Sequence, residues 1–494
     1  MKLHKKKLSS KIEGITKKSV LKSLMIAGIS MPVMNPAMAN ANEEASAILK
    51  LEEIIVTARK REESIQEVPI SITAFSEKDI ADSGVLDVRQ LAESVPNVVF
   101  TGIDNSSVTI FTVRGVQTQS RANIGFESGV GTYVDGVVMG RALTSANQDF
   151  FDVERVEFLR GPQGTLFGKN SIAGAINITT KRPTEEFTGS VGVSLSDYDG
   201  YQTQMYLSGP LVEGALYGSV SAYKRKRDGY IENITTGDED ANEDVSGGRI
   251  KLLYTPTDNL EITLAADTQT GDAIVASPQA ISGYGFAPGE YKTSVDLPSS
   301  GARTNDGASL TVNWDVSGGT LTSISAYRES SRNRTNDTDV GPLPAIATFV
   351  DDNQHQVSQE VRFSSEVGDT FRYVVGAYYF EQDNYSTLTS NVDFFGFLLS
   401  PNLNGTIESE SRAVFFNADW DFAEDWTLTF GARYNEEDKD LDYEQTTLGL
   451  LAPTLPSEKD QFSDSDFSPT LGISYNLSND VNLYAIASRG YKSG

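Results

Sequence analysis

The 494-residue sequence contains no cysteine and only two histidines, His4 and His355. Without cysteine there is no disulfide, thiolate metal site or cysteine nucleophile. With so little histidine, an imidazole-based metal centre or a Ser-His-Asp triad has almost no material. Positive charge is scarce as well: 41 lysines and arginines face 68 acidic residues, for a net charge of −27. That balance argues against a nucleic-acid partner, because a phosphate-binding surface needs a basic patch. Hydrophobic residues make up only 39% of the chain. No run reaches the roughly 20 apolar residues that a membrane-spanning helix needs. These shortages disfavour an enzyme, and if the chain crosses a membrane it does so with strands.

What is present begins with a targeting signal. Lys2, Lys5, Lys6, Lys7, Lys11, Lys17, Lys18 and Lys22 face the single acid Glu13, and an apolar stretch from Leu24 to Met34 leads to Ala37-Met38-Ala39. A positive start, a short apolar core and an A-x-A site make a secretory signal peptide over residues 1–39, cleaved after Ala39. Residues 40–62 are mostly polar, interrupted by the β-branched run Ile54-Ile55-Val56-Thr57. A compact region rich in glycine and short β-branched runs follows over residues 63–182.

From Phe187 onward the texture becomes repetitive. Leu260, Ile262, Leu264 and Ala266 oppose Glu261, Thr263 and Asp267; Leu428, Phe430, Ala432 and Tyr434 oppose Thr427, Thr429 and Arg433. Period two with one apolar and one polar face predicts strands of about ten residues. Ala215 to Lys226 and Phe371 to Phe380 do not show a clear alternation. Short connections near Thr257–Asn259, Ser317–Gly319 and Ala423–Asp425 alternate with long ones near Glu329–His355, Glu381–Glu410 and Asn435–Ser465. A soluble sandwich has no reason to place every long loop on one side, whereas an outer-membrane barrel does. Lipid demands full backbone pairing, which strands achieve only in a closed barrel. Residues 187–494 therefore predict about thirteen strands of a partial barrel. Because the pattern stops at Gly494, further strands are expected beyond it.

Glu52-Glu53-Ile54-Ile55-Val56-Thr57-Ala58 resembles the TonB box of TonB-dependent outer-membrane receptors of the siderophore type, and Val68-Pro69-Ile70-Ser71-Ile72-Thr73 resembles the opening strand of their plug. Leu91 to Val98, then Arg114-Gly115, then Tyr133-Val134-Asp135-Gly136-Val137 fall in the family's order. The longest match runs from Val153 through Arg160-Gly161-Pro162-Gln163-Gly164 to Gly168, and continues over Gly174 to Ile178. The resemblance implies an all-β transmembrane barrel, of 22 strands in the complete family, preceded by an α+β plug domain. It also implies energy coupling through TonB and the inner-membrane ExbB-ExbD complex, with the barrel set among outer-membrane lipid and lipopolysaccharide. Plug arginines at such motifs are expected to pair with barrel glutamates; Arg114 and Arg160 are the candidates, with Glu360 as partner.

The same residues carry plainer readings. Gly164 to Lys169 superficially matches a phosphate loop, but only three residues separate Gly164 from Gly168, and Asn170 stands where Ser or Thr is required. Arg114 can serve a local turn, and Asp135-Gly136 is by itself a hairpin turn. Asp238, Asp240 and Asn242 fit the first ligands of a calcium loop. Glu243 replaces its glycine and Arg249 its closing glutamate, so the stretch reads as a solvated loop and no metal site is expected. Residues 52–58 have no evident strand partner and read as a segment poised to add to another protein's sheet edge, with an unpaired tail or a strand tucked under the plug as the plainer alternatives.

What the resemblance implies about cargo is a ferric siderophore or another iron complex, carried as substrate with no resident cofactor. Cobalamin, carbohydrate or another organic compound is the alternative, and a passive porin a more distant one. The single histidine after residue 39 lowers haem. With only residues 40–51 ahead of the box, simple uptake is expected rather than transcriptional signalling.

Overall fold

The computed structural model describes residues 54–103, 108–116, 127–140, 151–274, 289–368, 370–394, 397–448, 455–478 and 481–493. The expected signal peptide, Glu52 and Glu53 lie outside the described residues.

The first part of the chain is a small α+β body. Strand β1 (Ile55–Val56) pairs with β2 (Glu63–Ser64), and β3 (Ser71–Ser76) leads into helices α1 (Glu77–Ser83) and α2 (Val88–Ala92). Local chemistry sets both helix starts. Ser76 and Asp79 cap each other reciprocally, and Asp87 accepts from the N–H groups of Arg89 and Gln90, which satisfies donors that an isolated helix end leaves open. Gly84 ends α1 at φ 67°, a conformation glycine adopts without strain. A ribbon follows, β4 (Val98–Ile103) on β5 (Val108–Val113), then β6 (Val130–Val134), β7 (Val137–Val138), β8 (Val153–Arg160), a single turn α3 (Gly164–Phe167) and β9 (Gly174–Thr180). The central sheet has the order β3-β8-β9-β6-β7, with only the β9–β6 pair parallel. Val88, Leu91, Val156, Phe158, Ile176 and Ile178 fill one face. The Asp135-Gly136 turn between β6 and β7 takes φ of 49° and 81°, as a tight hairpin requires.

The remaining strands are β10 (Thr188–Ser196), β11 (Gly200–Val212), β12 (Leu216–Arg227), β13 (Ile231–Asn233), β14 (Glu239–Asp240), β15 (Glu243–Thr257), β16 (Leu260–Ile274), β17 (Lys292–Thr293), β18 (Ser300–Val316), β19 (Gly319–Asp337), β20 (Ile346–Val367), β21 (Phe371–Phe394), β22 (Phe397–Ala423), β23 (Trp426–Leu448), β24 (Leu455–Ser478) and β25 (Val481–Ser488). Apart from β13, β14 and β17, which form a small separate sheet, they make one antiparallel sheet of thirteen strands in sequence order. Its burial pattern inverts that of a water-soluble protein. Leu264, Leu310, Trp314, Val414, Trp420 and Leu471 are exposed on one face, while Asn417, Asp419, Thr429, Arg433, Glu437 and Ser468 are buried on the other. An apolar exterior around a polar interior suits a strand wall whose outer solvent is lipid.

Two sequence expectations need correction here. The unclear segments, Ala215 to Lys226 and Phe371 to Phe380, are strands within β12 and β21. The stretches read as long loops at Glu329–His355, Glu381–Glu410 and Asn435–Ser465 are mostly strand: β19 runs to Asp337 and β20 starts at Ile346, and β21, β22, β23 and β24 each run for 23 to 27 residues. In these extensions both faces are polar, with Glu436 and Asp438 on one and Glu437 and Lys439 on the other, so no apolar face marks the continuing ladder, and its backbone pairing carries the hairpins outward.

Candidate functional site

The α+β body docks inside the polar face of the strand wall along two seams. The first involves the segment expected to be unpaired. Ile55 faces Ser64 and Val56 faces Glu63 in the β1–β2 hairpin, and the Ile65 N–H donates to the Ile54 carbonyl at 3.0 Å. Val56 is 0% and Ala58 1% exposed, packed among Val68, Tyr133, Leu159 and Ala175 on the second face of the central sheet. Burying one valine contributes about 1.5–3 kcal/mol, which, with the ladder, holds the hairpin down. The free-segment expectation fails because the strand partner sits only a charged turn away.

That turn is itself anchored. The Thr57 N–H donates to Glu157 Oε1 at 2.7 Å, and Glu157, fully buried, also accepts from Arg155 Nε at 3.0 Å and from Asn177 Nδ2 at 3.0 Å. After Ala58, the three residues Arg59, Lys60 and Arg61 are cations and reach the strand wall. Arg59 and Arg61 both pair with Asp419 of β22, and Lys60 pairs with Glu360 of β20. Burial pulls the Lys60 ammonium down to about 8, against the attraction of Glu360. The latch therefore closes at the expense of solvation. Beside it, a cavity of about 920 Å³, lined by Ile55, Arg59, Glu63, Asp419 and Trp426 among others, lies at the short-turn end of the wall.

Glu360 is thus a plug-to-wall partner, but not of the residues expected. It binds Lys60 and Arg362. Arg114 sits exposed in a left-handed turn at φ 52°, its N–H donating to the Asn97 carbonyl at 2.9 Å. Arg160 Nη1 donates to the Pro96 carbonyl at 3.0 Å; burial and the nearby Arg114 guanidinium depress its pKa. Both arginines line a cavity of about 330 Å³ with Gly161, Pro162, Thr165 and Tyr484. Neither pairs with Glu360, whose carboxylate is occupied by Lys60 and Arg362.

The second seam is the glycine motif. A Cβ on Gly164 would lie 2.8 Å from the Arg489 carbonyl, and one on Gly168 would lie 2.8 Å from the Arg433 guanidinium. At Gly164 the neighbouring backbone approaches too closely for a side chain, and at Gly168 the φ of 81° favours glycine. Thr165 Oγ1 meets Thr470 Oγ1 at 2.7 Å. Lys169 Nζ pairs with Glu437 at 2.7 Å and lies over the Phe380 ring. Further along, charge polarity reverses: Asp135 pairs with Lys251 at 3.0 Å and Asp152 with Arg249 at 2.6 Å. Asp135 also accepts from the Thr180 N–H and hydroxyl. Although burial raises its pKa, Lys251, Arg249 and these bonds outweigh that and hold the carboxyl below its ordinary value.

Sequence reading missed Arg59, Lys60, Arg61, Glu157 and Asp419. The one available signal was three consecutive cations in an acidic chain, one residue after the β-branched run.

Comparisons with known proteins agree with this geometry. Residues 64–175 match the TonB-dependent Receptor Plug Domain family, and residues 251–494 match the TonB dependent receptor-like beta-barrel family. The chain is 27% identical over 479 residues to the pesticin receptor of Yersinia pestis, covering 95% of this chain and 67% of the relative. It is 23% identical to the ferric-pyoverdine 358 receptor of Pseudomonas putida, covering 87% and 54%. Among solved structures, the ferric yersiniabactin uptake receptor FyuA from Yersinia pestis superposes with a TM-score of 0.75 at 27% identity, covering 86% of this chain and 65% of that one. The ferric citrate transporter FecA, at 16% identity and a TM-score of 0.67, shares the fold. The chain thus spans about two thirds of the length of these first relatives. Among the described residues no helix is long and apolar enough to cross a membrane.

Proposed function

Because this chain belongs to the family of TonB-dependent outer-membrane receptors, which are not enzymes, we propose that it imports a ferric siderophore across the outer membrane, energised through TonB. The observation that carries the reading is the β1–β2 hairpin, which holds a β-branched strand under a charged latch beside open space at the short-turn end of the wall. A docked plug blocks passive flow, so import needs the plug to be disturbed from the inner side. The hairpin supplies a handle: once undocked, β1 offers free backbone donors and acceptors that can add to a partner's sheet edge. TonB, with the ExbB-ExbD complex behind it, is that partner. An iron chelate is the cargo supported by what the pesticin, ferric-pyoverdine and ferric yersiniabactin receptors are named for.

The test separates binding from transport in the intact receptor. Ile55→Pro deletes a backbone donor and fixes φ, and it is expected to abolish energised uptake while ligand binding at the cell surface stays nearly intact; Ile55→Ala is expected to be much milder. Equal loss of binding and uptake, or uptake that persists after collapse of the proton gradient, would refute coupling through this segment.

A further inference from the structure

At the end of the strand wall that carries the long connections, three carboxylates from two separate stretches converge. Asp337 closes β19, Asp339 follows it, and Asp296 comes from the connection after β17. One oxygen from each lies within 4.8 Å of the others. The stretches are stitched together by backbone, since the Asp296 N–H donates to the Gly341 carbonyl at 2.9 Å.

Proximity among acids is common, and alone means little. Here the satisfaction of individual oxygens adds a separate observation. Asp337 is 6% exposed, and its Oδ1 accepts from the Val340 N–H at 2.8 Å. Asp339 Oδ2 accepts from the Ala345 N–H at 3.2 Å. The other oxygens, Asp337 Oδ2 and Asp339 Oδ1, are buried and meet no donor. None of the three acids forms an ion pair with lysine or arginine among the described residues. Each loop carboxylate thus spends one oxygen on orienting itself and leaves the other dry. A buried carboxylate oxygen with neither donor nor counter-charge is strongly unfavourable, so the arrangement calls for a cation.

We propose that Asp296, Asp337 and Asp339 form a calcium site that pins the 337–345 loop to the connection preceding β18. Oxygens on a sphere of about 2.4 Å radius, the usual Ca²⁺–O distance, lie at most about 4.8 Å apart, and hard oxygen ligands from flexible stretches suit Ca²⁺. Mg²⁺ prefers one or two carboxylates and several waters in strict octahedral geometry, which three convergent acids do not offer. The Asp238–Asn242 stretch, with its partial calcium-loop pattern, brings no third carboxylate to Asp240 among the described residues. The site does not depend on what the receptor carries.

The intact receptor, stripped with EDTA in detergent, is titrated with CaCl₂ and separately with MgCl₂ by calorimetry. One Ca²⁺ is expected to bind with Kd on the order of 10⁻⁴ M, the range of extracellular modules, with Mg²⁺ at least about tenfold weaker. Ca²⁺ should protect the 337–345 loop from proteolysis, and EGTA should reverse that protection. Asp296→Asn leaves both orienting bonds in place and is expected to weaken Ca²⁺ binding by about tenfold or more, so the result does not rest on whether an Asp337 variant folds. Absence of Ca²⁺ binding to the wild-type receptor, or equal affinity in Asp296→Asn, would overturn the proposal. Loop protection that ignores both Ca²⁺ and EGTA would also overturn it, and would indicate that a shared proton joins the carboxyl groups instead.

Discussion

The two seams between plug and wall use different chemistry. Around Gly164 the surfaces touch backbone to backbone, at Gly168 the Arg433 guanidinium closes in on the chain, and short hydroxyl contacts fill the gap. Around Arg59, Lys60 and Arg61 long charged side chains bridge to Asp419 and Glu360. Close packing has a steep optimum and tolerates no displacement. Ion pairs on flexible stems regain hydration as they part, so their loss is partly compensated. The glycine seam is therefore suited to staying shut and the charged seam of the hairpin turn to opening.

Breaking Asp419 should give the largest effect. Asp419→Ala leaves Arg59 and Arg61 without their shared buried partner, and removal of one member of such a pair costs about 3–5 kcal/mol. Hydrogen exchange of residues 55–64 should rise sharply, while the central plug sheet keeps its protection; unchanged exchange in the hairpin would show that the latch contributes nothing.

Gly164→Val tests the opposite seam. Forcing a side chain against the Arg489 carbonyl should cost about 1–3 kcal/mol, as overpacking generally does. The expected readout is a lower thermal transition for plug docking with hairpin exchange unaltered. Loosening of both regions together would mean that the seams are one unit.

A smaller effect concerns acid. Asp135 has its pKa depressed below 3.8 in the docked state, so the undocked carboxyl takes up protons first as the pH falls. Its contribution is complete above about pH 4 and is lost as the pH drops through the docked value. Docking stability followed by melting temperature should decline more steeply below pH 4 in the wild type than in Asp135→Asn. Parallel curves would remove Asp135 from the seam.

Much of this architecture was legible because lipid imposes a strict alternation: Leu260 to Ala266 and Leu428 to Tyr434 declare their faces. The extended hairpins were not, since polar residues on both faces, as in Asn435 to Asp440, remove the pattern that distinguishes strand from loop. At the site, the β-branched run was visible, but its partner was hidden in Glu63-Ser64, residues with no strand signature of their own. Glu360 was recognisable as a polar-face acid; which cation reached it depended on three-dimensional proximity that spacing along the chain does not encode.

The antiparallel pairing of β1 with β2 also sets a mechanical order. The N-terminal approach at Ile54 and the C-terminal exit at Ile65 lie side by side at the open end of the hairpin, joined by their own hydrogen bond. Tension applied from the N-terminal side, with the plug held fixed, pulls across the ladder rather than along it. The bonds then carry load one at a time: Ile54–Ile65 first, the Ile55 and Val56 pairs next, then Thr57 on Glu157, and last the three cations in the turn. A zipper loaded in this direction yields to a modest steady pull, whereas the same bonds loaded in shear would resist together.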